Sequence, residues 1–515
     1  MVAQFDVAVV GYGPVGMACA ALLGRSGHSV VVLERYPTLY NLPRAAIFDD
    51  ETMRTFAKLD IPPTLLPKIH ASPSYEWRNG AGDLLIEHEF ALRGRSAWAE
   101  WYEMYQPDLE DALDESVQSS GNVEVRFDSL VRGYEQDGEG VTVQLADGQS
   151  VRATYVIAAD GGNGMTRGAL GVQLADYGFS EPWMVCDFEL TAPLEIPRAM
   201  QVCDPAQPVS VISLGPRHHR FSFMLDAEEH FESERSPEKV WARVSRWLRP
   251  GQGELIRVAT YTFRSLIADQ WRHGRIILAG DSAHQMPPFL GQGMCSGIRD
   301  AQNLAFRLDL ILRGRAGGDI LDGYQTEREP QVTAVVLRGI ELGRVQTMRD
   351  PAAAAERDRK LIADREARRR PEKIRFPGIG PGITGSGSGA GDLSPQGDVV
   401  VDGLRGRFDE VFGYGLAVIG APYAAPLSGA ALAQCTQTVD LVAQFAEDAT
   451  DAEGVYGRWF EEIGAKFALV RPDFYVYGTA SDEEGLLALL DQFEAQLSAS
   501  AHSRAAITNN MEVSS

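Results

Sequence analysis

Cysteine is scarce in this sequence, with five residues (Cys19, Cys186, Cys203, Cys295 and Cys435) scattered over 515 positions. Their odd number, wide separation and lack of C-x-x-C or zinc spacing exclude a disulfide scaffold and fit a reduced, cytoplasmic setting. Basic charge is also in deficit, 48 Lys and Arg against 71 Asp and Glu, for a net charge of -23. Such a surface favours solubility and repels phosphate backbones and anionic lipid, so neither nucleic acid nor membrane is an expected partner. Long apolar runs are missing too: no stretch of about 18 uninterrupted apolar residues offers a membrane span. The segment Phe5 to Leu23 lacks a basic leader and contains Gly11, Gly13, Pro14 and Gly16, so it reads as folded protein rather than a signal peptide.

What is present is ordinary globular material, 44% hydrophobic and 23% charged, in a chain long enough for two or three domains. Phe5 to Val10 is a buried-strand run ending at glycines; Pro14 to Arg25 reads as a helix stopped by Gly27; Ser29 to Leu33 is a second buried strand. Val123 to Val131 and Gly140 to Leu145 alternate like half-exposed strands, and Tyr155 to Ala159 is buried again. From Glu181 to Tyr261 longer amphipathic strands and a helix, Pro237 to Leu248, predict a more antiparallel layer. Arg275 to Ala279 returns to the buried pattern, so distant residues complete the first sheet; helices are expected over Cys295 to Arg313 and Val335 to Val345.

The expected fold is α/β. A Rossmann-like domain of the glutathione-reductase type (1–180 and 262–350) interleaves with a mixed-sheet substrate domain (181–261). An Arg-rich, then Gly-rich linker (351–398) leads to a small α/β domain (399–497) and a disordered tail (498–515). The Arg-rich run from Glu356 to Arg375 reads as a solvated helix face.

Gly11-Tyr12-Gly13-Pro14-Val15-Gly16 sits between strand and helix, the context a dinucleotide fingerprint requires. The glycines permit a tight turn, close approach of a pyrophosphate and helix-on-strand packing, while Glu34 ends the second strand where an acid can bind ribose hydroxyls. NAD, NADP and FAD all satisfy that unit. A second motif, Gly280-Asp281-Ser282-Ala283-His284-Gln285-Met286-Pro287-Pro288 with Gly291-Gln292-Gly293-Met294, brings a carboxylate, a rigid diproline and a helix start to one place. Asp281 can accept from a polyol, and the helix start can stabilise negative charge on a ring.

With this loop, and with Asp160-Gly161 followed by Arg167, the sequence resembles the single-component FAD-dependent aromatic hydroxylases, the class A flavoprotein monooxygenases. Pro43-Arg44-Ala45, Asp49-Asp50-Glu51, Cys203-Asp204-Pro205, Arg220 to Met224 and Gly291 to Gly293 place the resemblance nearest the 3-(3-hydroxyphenyl)propionate hydroxylases. It spans residues 5 to 345 and, more faintly, the C-terminal domain, which resembles the thioredoxin-like appendage of phenol hydroxylases without its C-x-x-C. The resemblance implies FAD, NADH or NADPH as electron donor, oxygen addition at flavin C4a, and transfer of one oxygen atom to a phenolic ring. The substrate implied is a 3-hydroxyphenylpropionate-like acid or a simple phenol, and the assembly a homodimer.

Motif and resemblance together put Gly11, Gly13, Pro14, Val15, Gly16, Glu34, Arg35, Arg44, Gln106, Val131, Asp160, Gly161, Asp281, Pro288, Gly291, Gln292, Gly293 and Met294 around the cofactor. Gly164, Cys295 and Leu290 depart from the family's usual serine, asparagine and glycine. Asp49 and His284 are candidate bases for a phenol proton, although Asp49 or Asp50 can equally cap the helix that begins near Glu51, and His284 can equally brace the loop. Arg217, His218, His219 and Arg220 are candidates to meet a substrate carboxylate, with surface pairing to Glu228 or Glu229 as the alternative; Trp98, Trp101, Tyr102 and Tyr105 can line a pocket or fill a core. Two other functions fit the motifs: tailoring of a polycyclic polyketide by the same chemistry, and a flavin-bound redox sensor or scaffold. No metal site is read.

Overall fold

The strand Gln4–Val10 lies at the centre of a parallel run, flanked by Val30–Leu33 on one side and Ser150–Ala158 on the other, in a computed structural model that describes residues 4–228, 231–445 and 449–512. Val123–Arg126 and Ile276–Leu278 pair in parallel at the two ends, so residues distant in sequence complete the sheet. The helices Pro14–Arg25 and Gln292–Leu312 cover one face. The strands Val131–Gln136 and Val141–Leu145 fold back over the other, burying Val131, Val141 and Val143 against Ala8 and Val31. This is the expected glutathione-reductase-like layering.

Two boundaries differ from the sequence reading. Val123 to Val131 is not one strand: Asp128 adopts a left-handed conformation (φ 54°), and the chain turns there so that Val131 starts the second layer. The helix expected from Cys295 starts at Gln292, because Gly291 (φ 61°) turns the glycine loop directly into its first turn.

The second sheet runs in the order His284–Gln285, Gly253–Ala268, Leu174–Leu190, His218–Met224, Val209–Ser213, Ala199–Cys203, Ser74–Asn79 and Leu84–Glu89. The substrate layer is therefore wider than 181–261. Ser74–Asn79 joins it by parallel pairing with Ala199–Cys203, a partner more than a hundred residues away in the chain. One face is closed by the helix Pro237–Val244 around Phe188, Phe221 and Phe223. The other, bearing Tyr75, Trp77, Gln201, Ser210 and Ile212, looks toward the first domain and packs on Leu290 and Leu342.

Beyond the helix Asp322–Gln346, the helix Pro351–Glu366 carries the first part of the Arg-rich run mostly in solvent, but Arg368, Arg369, Arg370 and Arg375 lie past its end in irregular chain, so the run is not one helix face. The Gly-rich segment is no free tether. Gly380 donates to Glu327 O and Gly385 to Tyr477 O, and a Cβ on Gly382 would lie 2.2 Å from the Glu327 carboxylate. A four-stranded sheet (Leu441–Ala443, Ala417–Gly420, Phe467–Val470, Val476–Ala480) with helices builds the thioredoxin-like C-terminal unit, whose lone cysteine is Cys435. Its last helix, Glu483–Glu512, runs through the segment expected as a disordered tail; the alanine-rich stretch after Gly485 contains neither glycine nor proline to stop it. Among the described residues no helix is long and apolar enough to cross a membrane.

Candidate functional site

The glycine fingerprint is built by close approach. Gly11 (φ 99°) cannot take a side chain because a Cβ would meet Ala159 O at 2.5 Å, and one on Gly16 would lie 2.0 Å from Gly11 O. The helix that follows has no side-chain cap and no acid in its first turn, so its N–H groups stay available to an anion. Glu34 accepts from the backbone N–H of Tyr12 (2.7 Å) and Tyr36 (3.0 Å), which points its carboxylate over the turn. Around it a cleft of about 170 Å3 gathers Gly11, Gly13, Glu34, Arg35, Arg44, Val131, Asp160 and Gly161. Uncapped N–H donors, an acid at the strand end and a glycine floor fit the adenosine and pyrophosphate half of FAD.

The second motif is fixed by buried hydrogen bonds. His284 Nε2 meets Asp300 Oδ2 at 2.7 Å, and the same oxygen accepts Gly280 N at 3.0 Å. Burial opposes ionisation of Asp300, but His284 and Arg328 beside it prevail and bring its pKa down to about 2. The other oxygen of Asp300 takes Arg328 Nε at 2.9 Å. Arg167 donates to the carbonyls of Gly161, Gly162, Asp281 and Ser282, tying the Asp160-Gly161 turn to this loop. The Asp281 side chain is exposed. Pro288 opens a short 3-10 turn, and Gly291, Gln292, Gly293 and Met294 form the uncapped start of the long helix. A carboxylate beside an uncapped helix start fits the ribityl and ring end of the flavin. Val15 packs against Gly280 and Gly297, joining the two motifs back to back.

Several expected contacts become supporting ones. Gln106 is buried, accepts the N–H of Arg44 and Ala45 (3.0 and 2.5 Å) and donates to Glu110 at 2.6 Å; its amide holds the Arg44 loop. Asp49 caps Asp50–Lys58, accepting Thr52 N at 2.9 Å and pairing with Arg299 at 2.5 Å. Burial raises its pKa, but Arg299 and Thr52 prevail and hold the carboxyl below its usual range, which makes it a poor base. His284 is wholly buried behind the loop against Trp271, so it too braces rather than meeting a substrate. The departure at Gly164 has a local cause: a Cβ there would lie 2.1 Å from the Asp160 carboxyl carbon, and Asp160 itself accepts Thr166 N at 3.0 Å, the capping bond a serine would supply.

The cation candidates are spent elsewhere. Arg217 pairs with Glu189 at the surface, not with Glu228. His218 stacks on Tyr105 with ring centroids 3.8 Å apart. His219 is buried, and desolvation lowers its pKa to about 3. Arg220 pairs with buried Asp187 at 2.6 Å and donates to the carbonyls of Pro43 and Arg44. Of the four aromatics, Trp101 packs on the Tyr75 and Phe90 rings beside Leu290 of the loop 280–293, whereas Trp98 lies under Arg407, Tyr102 stacks on Phe48 and Tyr105 is taken by His218.

Sequence reading missed a polar ladder on the inner face of the second sheet. Gln201 donates to Tyr75 Oη and accepts from Ser210, and Gln346 donates to Ser210 Oγ at 3.2 Å. Gln346 is fully buried, and its Oε1 has no partner among the described residues. Tyr75 and Trp77, two residues apart, carried the available signal, a strand with every second side chain inside.

Residues 4–338 match the FAD binding domain family, and residues 391–496 match the HcaD C-terminal domain family. A probable NADH-specific resorcinol 4-hydroxylase of Rhodococcus jostii (strain RHA1) is 48% identical over 506 residues, 95% of this chain and 94% of that protein. A 3-(3-hydroxy-phenyl)propionate/3-hydroxycinnamic acid hydroxylase of Mycolicibacterium gilvum (strain PYR-GCK) is 32% identical over 482 residues, 91% and 80% of the two chains. The fold is shared with aklavinone-11 hydroxylase, solved with FAD and aklavinone, at a TM-score of 0.78 and 23% identity over 96% of this chain and 100% of that one.

Proposed function

The chain belongs to the FAD-dependent aromatic-ring hydroxylases, and we propose that its substrate within that family is a small uncharged phenol, a dihydroxybenzene such as resorcinol, with NADH as electron donor. Membership sets aside the reading as a scaffold. FAD, when bound and reduced, supplies the activated oxygen that is placed on the ring.

The observation that carries the substrate class is the neutral ladder Tyr75, Gln201, Ser210 and Gln346, which ends in Gln346 Oε1, unpartnered among the described residues. A buried acceptor without a partner favours a ligand hydroxyl that satisfies it. Hydrogen bonding of a ring hydroxyl to Gln346 Oε1 also pushes electron density into the ring, which favours electrophilic attack. Of the cations read from the sequence as candidates for a propionate side chain, Arg217 and Arg220 are both committed to carboxylates. Leu290, where the family often has glycine, packs on Ile47, Tyr75, Trp77 and Ile212 and narrows this face. The printed name of the Rhodococcus relative supports both the substrate and NADH.

The test is coupled turnover with isotopically heavy oxygen on resorcinol and on 3-(3-hydroxyphenyl)propionate, with NADH and with NADPH. Label in a trihydroxybenzene product, with a higher kcat/KM for resorcinol and for NADH, is expected; preference for the acid overturns the substrate reading. Gln346→Leu is expected to raise the resorcinol KM about tenfold, the scale of one buried hydrogen bond, as measured by steady-state NADH oxidation.

A further inference from the structure

The C-terminal domain reaches the flavin loop through one hydroxyl. Tyr475, on the strand segment leading into Val476–Ala480, donates its Oη to Glu51 Oε1 at 2.8 Å and accepts Gln331 Nε2 at 3.0 Å. From Glu51 the chain of bonds continues to Arg299 Nε at 2.7 Å, and Arg299 Nη1 donates to Gln292 Oε1 at 3.0 Å. From Gln331 it continues through Arg328 to Asp300, which holds Gly280 N and His284. The two arms thus end at opposite ends of the loop 280–293. All of these side chains are buried, where such bonds are strong and a missing partner is costly.

We propose that Tyr475 is a positioning residue for the cofactor: its hydroxyl joins the two arms and holds Gly280 and Gln292 at the spacing that FAD requires. The C-terminal domain is then a working part of the flavin site. This rests on the reading above that the loop 280–293 holds the flavin. The hydroxyl stays protonated and so keeps its donor for Glu51, because burial, with the Glu51 charge beside it, raises its pKa far above the usual value.

A matched control lies two residues away. Tyr477 is equally buried, and its Oη has no hydrogen-bond partner among the described residues. The experiment strips FAD from the full-length protein, then titrates it back into wild type, Tyr475→Phe and Tyr477→Phe, following flavin fluorescence and the apoprotein Tm. Tyr475→Phe is expected to raise the FAD Kd about three- to tenfold, the worth of one hydrogen bond, while Tyr477→Phe leaves it unchanged. Adding Tyr475→Phe to Glu51→Gln is expected to give no further loss, because both changes break the one chain of bonds that joins the two arms. Wild-type FAD affinity in Tyr475→Phe, equal weakening in Tyr477→Phe, or additive losses with Glu51→Gln would each overturn the proposal. Asp281→Ala separates the premise from the inference: if that variant binds FAD like wild type, the loop is not the flavin site.

Discussion

Asp49 and Asp50 are adjacent in the chain and opposite in chemistry. Asp49 is held ionised by Arg299 and Thr52, while burial and the neighbouring Asp49 carboxylate push Asp50 up to about 7, against the opposing bond from Ser96 N. Asp50 lines a cavity of about 1070 Å3 together with Trp101, Leu290 and Gln292. A carboxyl whose folded pKa lies above its unfolded value stabilises below the unfolded value of about 4, and that contribution is lost as pH rises through 7. Asp50 should therefore cost the folded protein on the order of 2 kcal/mol more at pH 8 than at pH 5. Asp50→Asn keeps an acceptor for Ser96 N and removes that dependence. Thermal melts at pH 5 and pH 8 are expected to show the variant gaining on wild type with rising pH; a constant difference would contradict the assignment.

At the scale of elements, the substrate sheet is tied to the cofactor layer by Arg220, whose guanidinium bridges Asp187 on the neighbouring strand and the carbonyls of Pro43 and Arg44. Asp187 is fully buried and has Arg257 as its second cation, at 3.6 Å. Arg220→Met leaves that carboxylate underpaired, which typically costs about 3–5 kcal/mol. Urea unfolding is expected to show the loss, and the FAD Kd is expected to rise because the Arg44 loop loses its anchor. Elements were read from the sequence wherever their burial is local. The helix Pro14–Arg25 falls where a proline start and Gly27 put it. The strand Ser74–Asn79 escaped because what buries it is a partner more than a hundred residues on.

At the scale of the molecule, the C-terminal domain is bound to the core by buried ion pairs. Arg471 meets Glu327 at 2.8 Å and Asp473 at 2.6 Å, Glu327 also meets Arg307, and Arg54 pairs with Asp409 at 2.6 Å. Phe306 and Leu310 of the long helix share an apolar cluster with Leu469, Leu486 and Phe493. A chain truncated after residue 390 leaves Arg54 without Asp409, Glu327 without Arg471 and Glu51 without Tyr475, and exposes that cluster, so it is expected to be insoluble rather than a smaller active enzyme. Expression with a solubility assay checks this; a soluble, FAD-binding truncation would show the domains to be independent. By itself, the sequence determined the local features that depend on short spacings: the glycine turn, the acid at the strand end and the loop from Gly280 to Met294, where neighbouring residues must adopt one backbone shape. Only the tertiary structure decided which ionisable groups are spent on one another, Asp49 on Arg299, His284 on Asp300 and Arg220 on Asp187, because a charge's role is set by what burial places against it, and those partners come from anywhere in the chain.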